Sequence, residues 1–149
     1  MFFPEGIRFD WRDNRILVDL HKMTDGRQNA VTMAAYLPQP KPGQQFKDIA
    51  PFKVDTATEY ADLIFDKIED IVMKNNKVVS IARTPADIYN DKRQGRKSIM
   101  LGIENGLALG NDLSNVEHFA KRGVVYITLC HNADNDPVIS KQIEKAKIE

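Results

Sequence analysis

Two short apolar runs, residues 99–103 and 124–129, flank a single helix-like segment, and this arrangement constrains the chain more than any other feature. Runs of that length, apolar at nearly every position, read as strands covered on both faces. Strand, helix and strand in that order make a parallel crossover unit. The first run ends in a lone carboxylate, Glu104, followed by Asn105 and Gly106. The second ends in Cys130, His131 and Asn132. With the strands parallel, Glu104 and His131 emerge side by side at the carboxyl ends of neighbouring strands, where α/β folds place their chemistry. A carboxylate and an imidazole together suit metal binding or acid–base work on a polar substrate.

The rest of the chain repeats the alternation. Residues 30–37 are a continuous apolar run stopped by Pro38 and Pro40, expected as a strand buried on both faces. Residues 38–51 read as a proline- and lysine-rich loop. Residues 56–74 are the clearest helix. Thr56 or Thr58 suits its cap, and Tyr60, Leu63, Ile64, Ile68, Ile71 and Val72 recur at three- and four-residue spacing. Asn75 and Asn76 end it. A short strand is expected at 78–82, and Thr84 with Pro85 opens a brief helix. Ser114 is expected to cap a helix through about Lys121, closed by Gly123. Upstream, residues 16–18 read as a short strand or extended segment and residues 22–26 as a turn. Residues 137–149 read as a polar helix or frayed tail. The fold class is therefore α/β with a parallel sheet, in one domain spanning residues 1–149.

Charge and composition narrow the function. The chain has 149 residues, with 21 basic and 21 acidic side chains, so its net charge is zero. A dedicated nucleic-acid binder would normally be basic. A single cysteine, Cys130, excludes an internal disulfide and a multi-cysteine zinc site. No glycine-rich dinucleotide motif or phosphate-loop lysine is present. The start of the chain lacks a basic, then apolar leader, and no run reaches the length of a membrane span, so a cytoplasmic location is expected.

The blocks 102–109 (Gly-Ile-Glu-Asn-Gly-Leu-Ala-Leu), 115–123 (Asn-Val-Glu-His-Phe-Ala-Lys-Arg-Gly) and 125–132 (Val-Tyr-Ile-Thr-Leu-Cys-His-Asn) resemble, in order and spacing, the membrane (renal) dipeptidase family of zinc metallopeptidases. Residues 18–23, Gly26 and the strand ending in Ala35, Tyr36 and Leu37 resemble the segment after that family's first barrel strand. The likeness covers roughly residues 2–136 and leaves 137–149 unmatched. It implies a (β/α)8 TIM-type barrel holding two zinc ions at the carboxyl ends of its strands. It also implies dipeptide hydrolysis by a metal-activated water. Glu104 matches the carboxylate that bridges the two metals. His131 matches the histidine that contacts the substrate. The family's His-x-Asp metal motif would fall just before Phe2, and two further histidine ligands would fall after the chain stops. An eight-unit barrel needs about 250 residues. The expectation is thus a partial barrel, about half, lacking part of its metal site and inactive alone. The alternative is a non-catalytic half-barrel that self-associates or pairs with a complementary fragment, since open strand edges invite pairing.

Other candidates have plainer readings. His21, in Asp19-Leu20-His21, falls after the metal strand and is expected to be structural. His118 is expected at the surface, and Cys130 is expected to pack near its strand end. Asp134 and Asp136 suit a turn. The basic run 92–97 joins a helix to a strand and so is expected to face away from Glu104.

Overall fold

The computed structural model describes residues 8–130. The elements run α1 (Leu20–Asp25), β1 (Ala30–Tyr36), α2 (Ala57–Lys74), β2 (Val79–Ile81), α3 (Pro85–Arg93), β3 (Lys97–Glu104), α4 (Ser114–Arg122) and β4 (Val124–Thr128). Single 3-10 turns lie at Phe46–Asp48 and Gly106–Leu109. All strand pairings are parallel. The expected alternation of strands and helices is therefore present, and so is the parallel sheet.

β3 is the centre of the sheet. β1 runs along the whole of one edge, from Ala30 beside Ser98 to Tyr36 beside Glu104. The opposite edge is shared. β2 takes its lower part, with Ile81 beside Ile99, and β4 takes its upper part, from Leu101 to Glu104. A register irregularity between Leu101 and Gly102 lies at the start of the β4 pairing.

Strand alternation sorts the side chains. Met33, Ala35, Leu101 and Ile103 face α2 and are buried with its Ile64, Phe65 and Ile68. The other face carries Thr32, Ala34, Tyr36, Met100 and Glu104, all half-buried. The reading of residues 30–37 as buried on both faces is thus corrected. Helices cover one face of β1, and no described element covers the other.

The helices begin where side chains supply the missing acceptors. Thr56 and Thr84 each form a capping box, with Glu59 and Asp87 respectively returning the bond. Three local readings change. Residues 22–26 are not a turn: Asp19, fully buried, caps α1 by accepting the Lys22 N–H at 2.7 Å. The same carboxylate accepts the Asp13 N–H, a turn follows at Asn14 and Arg15, and of the two readings of residues 16–18, strand or extended segment, the strand is absent. Ser114 is not a cap but the first residue of α4, and the Asp112 carboxylate accepts its N–H at 2.8 Å. Gly123, at φ +90, closes α4 in the left-handed conformation.

The lower ends of the strands are tied by Asp91 on α3. Its carboxylate, 2% exposed, accepts from the Ser80 hydroxyl, from Ser98 Oγ at 2.7 Å and from Arg96 Nη2 at 2.6 Å. Between helices, Arg122 on α4 reaches Asp62, Asp66 and Glu69 on α2 at 2.7–2.9 Å. Among the described residues, no helix is long and apolar enough to cross a membrane.

Candidate functional site

The upper ends of β1, β3 and β4 meet in one row. Tyr36, Glu104 and Thr128 are in-register neighbours across the three strands. The apolar residues 99–103 bury β3 up to its last position, and the alternation then turns Glu104 onto the face that the helices leave open. Its carbonyl accepts the Leu37 N–H at 3.1 Å, so β1 and β3 stay paired to the rim. One row below, the Tyr126 ring lies against Gly102.

Beyond Glu104 the chain turns sharply. Asn105 has φ +92 and is 2% exposed. The 3-10 turn Gly106–Leu109 then packs against α2, where the Thr58 hydroxyl donates to the Ala108 carbonyl at 2.7 Å. Asn115 Nδ2 donates to the Leu109 carbonyl at 2.9 Å. The turn carrying Glu104 into the next helix is thus held from below and from the side.

The expected neighbourhood of β3 and β4 is present, with Glu104 at the rim. His131 lies outside the described residues, as do Asp134, Asp136 and residues 137–149. Cys130 is exposed rather than packed, two positions past the end of β4. His21 stands at the opposite end of the sheet. Its Nε2 is 3.0 Å from the Asp10 carbonyl, and it lines a cavity of about 300 Å³ with Thr24, Gly95 and Lys97. His118 is a partly exposed helix residue paired with Asp62 at 2.9 Å. The basic run 92–97 lies at the foot, where Arg96 is paired with Asp91, and so faces away from Glu104.

Among the described residues, no three His, Cys, Asp or Glu side chains converge as metal ligands. A zinc site takes three or four protein ligands. The described residues therefore do not make a metal centre by themselves.

Sequence reasoning missed the bonds that join Gln39, Asn105 and Thr128 at this rim, where the Asn105 N–H donates to Thr128 Oγ1 and Asn105 Nδ2 to Gln39 Oε1. The Asn-Gly pair after Glu104 signalled a turn, but not which groups would meet there.

The sequence model of the family described as membrane dipeptidase (peptidase family M19) matches residues 4–145. Dipeptidase verJ of Clonostachys rogersoniana is 27% identical over 136 residues, covering 90% of this chain and 35% of its own length. Dipeptidase ataJ of Aspergillus terreus is 27% identical over 117 residues, covering 78% of this chain and 28% of its own. The crystal structure of the probable dipeptidase PvdM from Pseudomonas aeruginosa superimposes with a TM-score of 0.70 at 25% identity, covering 85% of this chain and 31% of that one. The chain thus spans about a third of the length of the proteins it matches.

Proposed function

Since the chain belongs to the membrane dipeptidase family, we propose that it is part of a metal-dependent dipeptidase barrel and carries one side of that barrel's active-site mouth. Glu104 is the metal-ligating carboxylate, with zinc as the metal and two ions in the intact site. His131 contacts the dipeptide substrate. The observation that carries the reading is the position of Glu104. It stands at the carboxyl end of the central strand, on the open face, between β1 and β4, in a chain that matches the family over most of its length. Parallel α/β folds work at that end.

The 149-residue chain alone is proposed to be inactive, because further donors must come from outside residues 8–130. What its own residues contribute is placement. Residues 99–103 anchor the strand, the turn after Glu104 is braced on α2, and Tyr126 lines the mouth one row below.

A titration with Co2+ of the isotopically labelled chain, followed by NMR, tests the assignment. Paramagnetic broadening should centre on residues around Glu104 and vanish in Glu104→Gln. Broadening centred elsewhere, or unchanged by that substitution, would overturn it.

A second reading is favoured by one observation. Val125 and Tyr126 on β4 and Leu129 just past its end are each more than 40% exposed, and Leu113 and Val116 are exposed on the α4 side. An apolar parallel edge of this kind invites pairing. Self-association, or docking of a complementary fragment, would cover it.

A further inference from the structure

The residue after Glu104 is in an unusual state. Asn105 holds φ +92 and ψ +116, a region that a residue with a side chain occupies only when its surroundings impose it. Four glycines of the described residues take positive φ, Gly110 and Gly123 among them, and the one other non-glycine that does, Arg27 at φ +52, lies in the ordinary left-handed range rather than near +92. At Asn105 the side chain is in use. Its Nδ2 donates to the Leu37 carbonyl at 3.3 Å and to Gln39 Oε1 at 2.9 Å. Its Oδ1 accepts the Leu107 N–H at 3.3 Å. Its own backbone N–H donates to Thr128 Oγ1 at 2.9 Å. Gln39 sits between Pro38 and Pro40, whose rings fix their φ angles, so its acceptor comes from a stiffened segment.

These bonds fix the peptide that leaves Glu104 from three sides: the segment after β1, the turn after β3, and β4. The Glu104 carbonyl is fixed as well, by the Leu37 N–H. A side-chain rotamer depends on the backbone that carries it. We propose that Asn105, clasped by Gln39 and Thr128, is a positioning residue that holds the Glu104 side chain in one direction at the mouth. The inference rests on the dipeptidase reading only for the use made of that carboxylate.

Three-bond couplings from the Glu104 backbone nitrogen and carbonyl carbon to its Cγ, measured by NMR on the labelled 149-residue chain, read that rotamer with no metal and no turnover. The intact chain is expected to show a single rotamer. Asn105→Gly leaves the dihedral accessible and removes the carboxamide, so the chain stays folded while the couplings fall to rotamer-averaged values. Asn105→Asp removes the donor to Leu37 and Gln39 and has the same effect. Adding Gln39→Lys, which converts the acceptor at 39 into a donor, restores the single rotamer. A single Glu104 rotamer in folded Asn105→Gly, or an averaged one in the intact chain, overturns the proposal. If Asn105→Gly does not fold, Gln39→Ala decides instead: averaged couplings support the clasp, and unchanged couplings overturn it. These outcomes do not depend on whether Glu104 ligates a metal, so the two readings fail separately.

Discussion

The Tyr126 ring on β4 lies so close over Gly102 of β3 that a methyl group at residue 102 would stand 2.5 Å from Tyr126 Cε1. The atoms it would meet are the far end of a partly exposed side chain rather than backbone, so the cost of that methyl is modest. Gly102→Ala is expected to destabilise the chain by about 1 kcal/mol. In a Tyr126→Ala background the same substitution should cost almost nothing. Urea denaturation of the two single variants and the double variant checks this. Equal costs in both backgrounds would show that the ring is not what glycine accommodates.

Asp91 is a buried carboxylate whose burial works to raise its pKa. The hydrogen bonds from Ser80, Ser98 and Arg96 outweigh that and hold it below the ordinary carboxylate value. Its folded pKa is therefore lower than its unfolded one, near 3.9. The stability it contributes is present above about pH 4 and is lost as pH falls through the folded value. Unfolding free energy measured from pH 6 to pH 2 should drop in the acid range, and less steeply in Asp91→Asn. Asp91→Ala at neutral pH should cost about 3 kcal/mol, because it leaves partners buried and unmatched.

Arg122 joins α4 to α2 through three carboxylates while its side chain stays 18% exposed. Its guanidinium carbon also lies 5.7 Å from the centroid of the Phe65 ring. Arg122→Ala is expected to cost about 1 kcal/mol, from packing as well as charge. Arg122→Lys should recover little, since an ammonium cannot fork between separate carboxylates. Raising the salt concentration should shrink the difference between Arg122 and the alanine variant; a gap unchanged by salt would mean the charges contribute nothing.

Zinc analysis of the purified 149-residue chain is expected to find no stoichiometric metal, and dipeptide hydrolysis is expected to be undetectable. Two tightly held zinc ions per chain, lost in Glu104→Ala, would instead mean that a second copy completes the ligand set. Sedimentation at rising concentration separates these cases. If the β4 edge pairs copies, Val125→Lys should shift the population towards monomer.

Much of the fold could be read ahead of the structure because its signals are local. The capping threonines at 56 and 84, the apolar face of α2 and the stop at Gly123 each act within one or two turns of chain. Asp19 was missed as a cap because its helix is only six residues long and its apolar periodicity has no length over which to show. The shared edge of β3 was not legible either, since pairing between distant strands leaves no mark in the sequence around either one. At the site, Glu104 stood out as a lone charge ending an apolar run. The clasp around it did not, because Gln39 and Thr128 lie far from Asn105 along the chain and are ordinary polar residues until folding brings them together.

The divided edge of β3 gives one strand two separate neighbourhoods. Up to Ile99 it shares its fate with β2 and the Asp91 tie at the foot; from Leu101 it shares the fate of β4 and the rim. Between the two halves lies Met100, which neither β2 nor β4 pairs, while β1 and α2 pack along both. Amide protons on the two halves of this one strand should therefore exchange with solvent on different clocks, with the rim free to breathe while the foot stays shut.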